Sequence, residues 1–208
     1  MRVLIACEFS GIVREAFRKR GHDAWSLDLL PAEDGSKFHF YGYDLSLGAL
    51  YAEMLQNGNH GQWDLLIGHP PCTRLCNSGV RWLYVNGRGI VIDARKWAEM
   101  ESAVQFFRSL WHANVPRICL ENPVMHGHAM RLMPELPTPQ IIQPWQFGHG
   151  EVKATCLWLK GLKNLEPTTI VTGRTARVHR EPPSPDRWKN RSRTLQGIAD
   201  AMAEQWGS

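Results

Sequence analysis

The sequence contains no long apolar run and no secretory leader pattern. Hydrophobic residues make up 43% of its 208 residues, but they occur in stretches far shorter than the roughly 20 residues of a transmembrane helix. Met1 is followed directly by an apolar stretch typical of a first core strand, not by the charged and apolar regions of a signal peptide. Charged residues, at 21%, do not suggest disorder. We therefore expect one folded, cytoplasmic domain with at most a small appendage and no membrane partner.

Cysteine is scarce, and its number is odd. Three of the five cysteines lie in apolar, strand-like runs: Cys7, Cys119 and Cys156. This pattern is typical of reduced core thiols and excludes a disulfide framework. No four-ligand spacing is regular, so we predict no metal site. The alternative is a structural zinc site drawn from His69, Cys72, Cys76 and His126 or His128.

The charge balance is only mildly basic, at +4, which permits a polyanionic partner without requiring one. The basic residues cluster between positions 174 and 193: Arg174, Arg177, Arg180, Arg187, Lys189, Arg191 and Arg193. Only Glu181 and Asp186 oppose them, and the prolines of this segment predict irregular structure. Such an arm either contacts phosphates or is a solvated surface loop. The charge alone does not distinguish these two interpretations.

Short strand-like runs alternate with segments of helical period. The strand-like runs are Val3–Cys7, Ala24–Leu27, Asp64–Ile67, Arg117–Leu120 and Thr155–Leu159. The clearest helical stripe consists of Trp97, Met100, Val104, Phe107 and Trp111, and further helices are expected at Ile12–Lys19, Leu47–Gln56 and Ile198–Trp206. This alternation predicts an α/β fold with a mostly parallel sheet and helices on both faces.

The segment Asp64-Leu65-Leu66-Ile67-Gly68-His69-Pro70-Pro71-Cys72 is the most informative in the chain. Proline fixes φ and offers no backbone donor, so the strand must stop at the Pro-Pro turn. Cys72 is therefore held at the carboxyl edge of the sheet, where open α/β folds bind ligands. A nucleophile is useful there, whereas the alternative is a half-buried structural thiol.

A second strand, in Arg117-Ile118-Cys119-Leu120-Glu121-Asn122-Pro123, ends in the same way and places Glu121 at the same edge. A thiol and a carboxyl that converge there suit attack on an electron-poor pyrimidine. The thiolate adds at carbon 6, the acid hydrogen-bonds ring nitrogen 3, and carbon 5 becomes nucleophilic enough to take a methyl group. A buried carboxyl can hold a proton near neutral pH, as this role requires.

The first two strands predict a nucleoside site. Glu8-Phe9-Ser10-Gly11 follows the first strand, a helix begins near Ile12, and Asp28 follows the second strand. Rossmann-like folds hold an adenosine with this order of elements, and the carboxylate accepts from the ribose hydroxyls. Only Gly11 stands where a dinucleotide fingerprint has three glycines, which disfavours a dinucleotide and leaves a smaller adenosine ligand open. Asp44 could contact the adenine amino group, but either aspartate alone is typical of a turn or helix cap.

These segments follow one another in an order that resembles a known family. The matching segments are Phe9-Ser10-Gly11, Asp28, Asp44, Gly68-His69-Pro70-Pro71-Cys72 and Glu121-Asn122-Pro123. The chain resembles the DNA (cytosine-5) methyltransferases, and more narrowly the short cytosine-methyltransferase-like proteins of phages and prophages. The resemblance covers most of the chain, and Pro-Pro-Cys and Glu-Asn-Pro are its most specific parts.

The resemblance implies a Rossmann-like methyltransferase fold, S-adenosyl-L-methionine as methyl donor, DNA as partner and the cytoplasm of a bacterial host cell as location. It assigns the cofactor to Phe9, Ser10, Gly11, Asp28, Asp44, Leu45 and Pro70. It makes Cys72 the nucleophile and Glu121 the partner of ring nitrogen 3, with Lys153 as a further catalytic residue. Substrate contacts are expected from Arg74, Asn122, Arg177 and Arg180.

The chain departs from the family in its motifs. Ile12, Val13 and Arg14 follow Gly11 where the family has further glycines, and His69 replaces a usual glycine. Lys153 stands alone where two arginines and a glutamine are expected.

It also departs in its domain plan. The interval from Gly161 to Arg191 is far too short for a full target-recognition domain. We therefore expect a catalytic domain over residues 1–163, a basic arm over residues 164–193, and a closing helix within residues 194–208 that packs back on the catalytic domain. Recognition of the DNA sequence is then expected from the basic arm or from a separate specificity partner, or it is minimal.

Three other functions would use some of the same residues. A zinc deaminase requires Pro-Cys-x-x-Cys and an upstream His-x-Glu, whereas the Cys72 to Cys76 spacing is one residue too long and no His-x-Glu precedes Cys72. A catalytically altered scaffold that only binds nucleic acid is the non-enzymatic alternative, and the presence of both Cys72 and Glu121 opposes it. A free cytosine nucleotide as substrate also stays open.

Overall fold

The computed structural model of the chain describes residues 1–42, 62–87 and 89–208. Within these residues one sheet has the strand order β3-β2-β1-β4-β5-β7-β6. Its strands are β1 (Arg2–Ala6), β2 (Asp23–Asp28), β3 (His39–Tyr41), β4 (Leu65–Gly68), β5 (Arg117–Pro123), β6 (Gln140–Ile142) and β7 (Thr155–Lys160). The strands from β3 to β5 pair in parallel, and β7 is antiparallel to β5 and β6. The expectation of a mostly parallel sheet is confirmed.

Helices cover both faces of this sheet. The α-helices of the described residues are α1 (Ile12–Lys19), α2 (Ala94–Trp111), α3 (Gly127–Arg131), α4 (Arg187–Ser192) and α5 (Gln196–Trp206). Short 3₁₀ turns occur at Asn77–Leu83, Val85–Gly87, Pro144–Gln146 and Val178–Arg180. None of the described helices is both long and apolar enough to cross a bilayer. The helix predicted at Leu47–Gln56, and the predicted cofactor residues Asp44 and Leu45, lie outside the described residues.

The core consists of two layers, because successive side chains of a strand point to opposite faces. In β1, Val3 and Ile5 pack in the layer of α1 and α5, whereas Leu4 and Ala6 pack in the layer of α2 and α3. The central strands are apolar on both faces, as expected for parallel strands covered on both sides. Helix α5 packs against α1 and against the sheet.

The basic arm contains more regular structure than the sequence predicts. Residues Arg187–Ser192 form helix α4, and Val178–Arg180 form a 3₁₀ turn. The expectation of an irregular segment was wrong in this part, because the three prolines all precede α4 and none lies inside it.

Candidate active site

The carboxyl ends of β1, β2, β4 and β5 meet at one edge of the sheet. Gly68 of β4 pairs with Ala6 of β1 on one side and with Leu120 of β5 on the other. The next residues along the chain, His69 and Glu121, are therefore neighbours at this edge. The parallel register thus brings together the ends of the two motifs that the sequence singles out.

Asn122 fastens the Pro-Pro turn to β5. Its Nδ2 donates to the carbonyl oxygen of Pro70 at 2.7 Å, and the residue is only 1% exposed. We predicted Asn122 as a substrate contact, but the structure buries it beneath the turn, so its contribution is to hold the turn that leads to Cys72. Beyond the turn, the carbonyl of Cys72 accepts the backbone N–H groups of Leu75 and Cys76, both at 3.0 Å.

The thiols of Cys72 and Cys76 are neighbours, and each affects the pKa of the other. A hydrogen bond between the side chains, followed by burial and the nearby charge of Glu121, raises the pKa of Cys72. The same hydrogen bond lowers the pKa of Cys76 to about 5, assisted by Ser78 and by backbone N–H donors. The Sγ of Cys76 lies 3.1 Å from the Oγ of Ser78. A second thiol, that of Cys76, therefore lies beside the proposed nucleophile.

Glu121 is held ionised by a histidine. Nδ1 of His69 lies 3.0 Å from Oε2 of Glu121, and both side chains are largely buried. Burial alone would raise the pKa of Glu121, but the hydrogen bond and charge of His69, with the charge of Lys153, outweigh it and lower the pKa. The expectation that burial keeps Glu121 protonated near neutral pH was wrong, because the sequence did not reveal that His69 would pair with it.

Lys153 connects the carboxyl, the thiol and the basic arm. Its positive charge lowers the pKa values of both Cys72 and Glu121, against the stronger effects that raise that of Cys72. Its Nζ donates to the carbonyl oxygen of Arg191 at 3.1 Å, and its backbone N–H donates to Oε1 of Gln143 at 3.0 Å. The structure therefore places Lys153 beside the predicted catalytic pair and tethers it to the basic arm.

Glu8 closes the N-terminal end of helix α1. Its two carboxylate oxygens accept the backbone N–H groups of Val13 at 2.6 Å and Arg14 at 3.2 Å. Burial raises the pKa of Glu8 despite these bonds and the charge of His69. Because a carboxylate occupies these donors, the helix end does not offer them to a pyrophosphate. This opposes a dinucleotide and suits a ligand with positive charge.

The glycine-poor turn after β1 has a structural reason. Gly11 has φ +73°, and an added Cβ would collide with the guanidinium of Arg14. Arg14 is fully buried, bonds to Oγ of Ser26 at 2.7 Å, and forms an ion pair with Asp34. Arg14 thus connects α1 to β2 and to the following loop, so the residue that replaces a family glycine is part of the core.

The residues at this end of the sheet fit S-adenosylmethionine. Asp28 ends β2, accepts the N–H of Leu30 at 3.0 Å, and has its pKa raised by burial. A partly buried carboxyl of this kind suits a ribose diol. The sulfonium and ammonium of the cofactor suit the acidic Glu8, and Pro70 lies in the turn that adjoins this edge. The Oγ of Ser10 accepts the backbone N–H of Ile12 at 3.4 Å.

The basic arm covers Phe9, one of the residues that the resemblance assigns to the cofactor. Phe9 is 8% exposed, and its ring centroid lies 6.0 Å from that of Trp188 in α4. The guanidinium of Arg193 lies 5.9 Å from the Phe9 ring centroid, and its Nε donates to Glu33 at 3.1 Å. The arm is therefore fixed to the catalytic domain across the start of α1.

A groove of about 400 Å³ lies between α1 and the arm. This volume is in the range of small-molecule sites. Its lining residues include Ile12, Lys153, Arg177, Arg193 and Gln196. A smaller cavity next to it is lined by Glu121, Lys153 and Thr194 among others, so Lys153 borders both spaces.

The arginines predicted to contact substrate differ in their surroundings. Arg177 is exposed but bonds to Glu151, with Nε at 3.0 Å from Oε1, and this hydrogen bond raises the pKa of Arg177. Arg180 is exposed. Arg74 donates from Nε to Glu99 of α2 at 2.9 Å. A substrate phosphate would therefore compete with a carboxylate for Arg74 and Arg177.

The residues of the alternative zinc site have other partners. Nε2 of His126 lies 2.8 Å from the carbonyl oxygen of Arg74, and Nε2 of His128 lies 2.9 Å from the hydroxyl of Tyr84. In the described part of the chain, no three His, Cys, Asp or Glu side chains are arranged to hold a metal ion.

Solved structures with the same fold are methyltransferases. One is a candidate DNA modification methyltransferase encoded within a prophage of E. coli, with TM-score 0.54 and 15% identity over 83% of this chain and 52% of that chain. Another is the methyltransferase EhMeth of Entamoeba histolytica, with TM-score 0.50 and 11% identity over 85% of this chain and 57% of that chain. The chain has a Rossmann-like methyltransferase fold.

The likeness is confined to the fold. No family model and no curated protein sequence matches the chain, and the chain spans about half the length of the solved methyltransferases. The expected methyltransferase fold is thus confirmed, whereas the roles predicted for Cys72, Glu121 and the cofactor residues stay predictions.

Proposed function

We propose that this chain transfers a methyl group from S-adenosylmethionine to carbon 5 of cytosine in DNA. The observation that carries the proposal is the convergence of Cys72, Glu121 and Lys153 at the carboxyl edge of a methyltransferase-type sheet. The charge of Lys153 acts on both other groups. An amino-group methyltransferase has an aromatic residue after the Pro-Pro turn, where the base stacks, whereas this chain has a thiol there.

The thiol and the carboxyl have separate roles in the proposed reaction. Cys72 gives up its thiol proton to solvent, and its sulfur adds to carbon 6 of the pyrimidine. The carboxylate of Glu121 must take up a proton from solvent before it can donate to ring nitrogen 3, where negative charge develops as the thiol adds. Lys153 supplies a fixed positive charge that favours the thiolate form of Cys72.

The cofactor site is supported by the residues around the start of α1. S-adenosylmethionine supplies an electrophilic methyl group on a sulfonium. Asp28 would accept from its ribose hydroxyls, and Phe9, Ser10, Gly11 and Pro70 would line the site. Trp188 and Arg193 cover Phe9, so binding of the cofactor involves the arm that also carries the proposed DNA contacts.

DNA as the substrate is supported by the arm. Its exposed arginines suit phosphates, which would give modest, salt-dependent affinity and little base discrimination. A duplex cytosine must be flipped out to be reached, and we assign this step to the loop that follows Cys72 together with the basic arm. We therefore propose modification in a short sequence context.

Mass spectrometry of nucleosides tests the proposal. DNA from cells that express the chain should contain 5-methyldeoxycytidine above the level of cells expressing the Cys72→Ser variant. Equal levels in both, with both proteins folded, would contradict it. If the protein methylates a deoxycytidine nucleotide but not DNA, the substrate is the free nucleotide and not DNA.

A further inference from the structure

Cys76 is a second thiol beside the proposed nucleophile, and the proposed reaction does not use it. The side chains of Cys72 and Cys76 are hydrogen-bonded to each other, and the Sγ of Cys76 lies 3.1 Å from the Oγ of Ser78. Cys76 is buried, whereas Cys72 is partly exposed. A thiol that a small solute can reach, with a second thiol directly behind it, is the arrangement of a redox-active cysteine and its resolving cysteine.

The backbone between the two thiols has the spacing of a disulfide. The N–H of Cys76 donates to the carbonyl oxygen of Cys72 at 3.0 Å, so residues 72–76 close one turn with the hydrogen-bond spacing of an α-helix. Residues four apart in such a turn have Cα atoms about 6 Å apart. Disulfides join Cα atoms that are roughly 4.4–6.8 Å apart. A bond between the two sulfurs is therefore compatible with the observed backbone.

The turn that carries the thiols is held in place by the segment after β5. The N–H of Asn77 donates to the carbonyl oxygen of Val124 at 3.0 Å, and the N–H of His126 donates to the carbonyl oxygen of Leu75 at 2.9 Å. On the other side of Cys72, Asn122 holds the carbonyl of Pro70. Because the turn is fixed on both sides, the two thiols stay within reach of each other.

We propose that Cys72 and Cys76 form a reversible redox switch, in which a peroxide joins them in a disulfide and thereby stops methyl transfer. This inference rests on the proposed function, because the bond stops catalysis only if Cys72 is the nucleophile. A Cys72 sulfur that is bonded to Cys76 cannot add to carbon 6 of cytosine. A reducing thiol breaks the disulfide and returns the nucleophile.

The oxidation balances with one molecule of hydrogen peroxide. The O–O bond breaks, the sulfur of Cys72 takes one oxygen and becomes a sulfenic acid, and one water leaves. The sulfur of Cys76 then attacks the sulfenic sulfur, the S–S bond forms, the S–O bond breaks, and the hydroxyl leaves with the Cys76 proton as a second water. The two thiols lose two electrons, which the peroxide gains. Two molecules of dithiol or monothiol reductant restore both cysteines and are themselves oxidised.

Cys76 should also protect Cys72 from irreversible damage. A sulfenic acid without a resolving thiol is oxidised further to a sulfinic acid, which reducing thiols do not reverse. After excess peroxide and then dithiothreitol, the wild type should recover its kcat, whereas Cys76→Ser should stay inactive. Cys7→Ser is the matched control, because Cys7 is the other partly exposed cysteine, and it should recover as the wild type does.

Peptide mapping of the wild type tests the disulfide without any variant. Trypsin cleaves after Arg74, which lies between the two cysteines, so a disulfide would join two separate peptides. After peroxide treatment and blocking of free thiols, the Cys72 and Cys76 peptides should be found linked, and dithiothreitol should separate them. Absence of the linked peptides in protein that peroxide has inactivated, or equal recovery of Cys76→Ser and wild type, would overturn the proposal.

The same experiment distinguishes failure of this inference from failure of the proposed function. Linked peptides from a folded protein that never methylates DNA would uphold the disulfide and overturn the proposed function. Methylation that continues in fully linked protein would overturn the switch, together with the assignment of Cys72 as nucleophile.

Discussion

Replacing Asn122 by alanine removes the hydrogen bond that holds the Pro-Pro turn without touching the proposed nucleophile. The lost bond joins Asn122 Nδ2 to the Pro70 carbonyl at 2.7 Å, in a place where the residue is almost fully buried. Leaving one buried partner unsatisfied costs about 1–3 kcal/mol. A change of 1 kcal/mol shifts Tm by about 2–4 °C in a chain of this size, so we expect Tm to fall by roughly 2–12 °C.

The same variant should lose activity, because the turn positions Cys72 and a displacement of about 1 Å can reduce the rate by about 100-fold. Calorimetry measures the loss of stability, and kcat measured below the lowered Tm gives the loss of activity separately. Asn114→Ala is the control, since Asn114 is exposed and should change the free energy of unfolding by no more than about 0.5 kcal/mol.

The Asn122→Asp variant makes the same hydrogen bond depend on pH. A protonated carboxyl can donate to the Pro70 carbonyl, but a carboxylate cannot. Burial should raise the folded pKa of the introduced group above its unfolded value of about 3.9, so the loss of stability should grow as pH rises above that value. An Asn122→Ala variant with wild-type Tm and kcat, or an Asn122→Asp variant equally stable from pH 5 to pH 8, would refute the reasoning.

The remaining predictions concern the nucleophile, the cofactor and DNA. Cys72→Ser should abolish turnover but keep cofactor binding, because a serine hydroxyl is hardly ionised at neutral pH. Cys76→Ser should stay active. The reverse pattern would exchange their assignments. Asp28→Ala should weaken S-adenosylmethionine binding by about 1.5–3 kcal/mol in calorimetry, and no detectable binding to the wild type with DNA present would favour an inactive scaffold. Charge reversal at Arg177 and Arg180 should raise KM for DNA far more than it changes kcat, and an unchanged KM would remove the arm from the DNA interface.

The sheet and its edge were predictable because their signals are local. Apolar runs that end at Pro70 and at Pro123 mark strand ends, and parallel strands bring those ends together. Helix α1 was predicted at its observed bounds, Ile12–Lys19, since its apolar period and the preceding Gly11 both indicate it.

The side-chain partners were not predictable, because they depend on distant residues. Glu121 was expected to be protonated, but His69, 52 positions earlier in the chain, bonds to it. Arg193 belongs to the basic cluster of the arm, and its pairing with Glu33, 160 positions away, has no signal in the sequence. The resemblance implied a substrate contact for Asn122, yet its side chain bonds to the carbonyl oxygen of Pro70. A motif indicates which residues reach an edge, whereas the fold decides which of them face the substrate.

Covalent trapping on DNA that contains 5-fluorocytosine tests the central claim most directly. Fluorine at carbon 5 cannot leave as a proton, so a chain that adds Cys72 to carbon 6 should remain bound to the DNA in the presence of S-adenosylmethionine. Peptide mass mapping should place the pyrimidine on Cys72, and Cys72→Ser should give no adduct. An absence of trapping by a wild-type protein that methylates DNA, or an adduct on another residue, would contradict attack by Cys72.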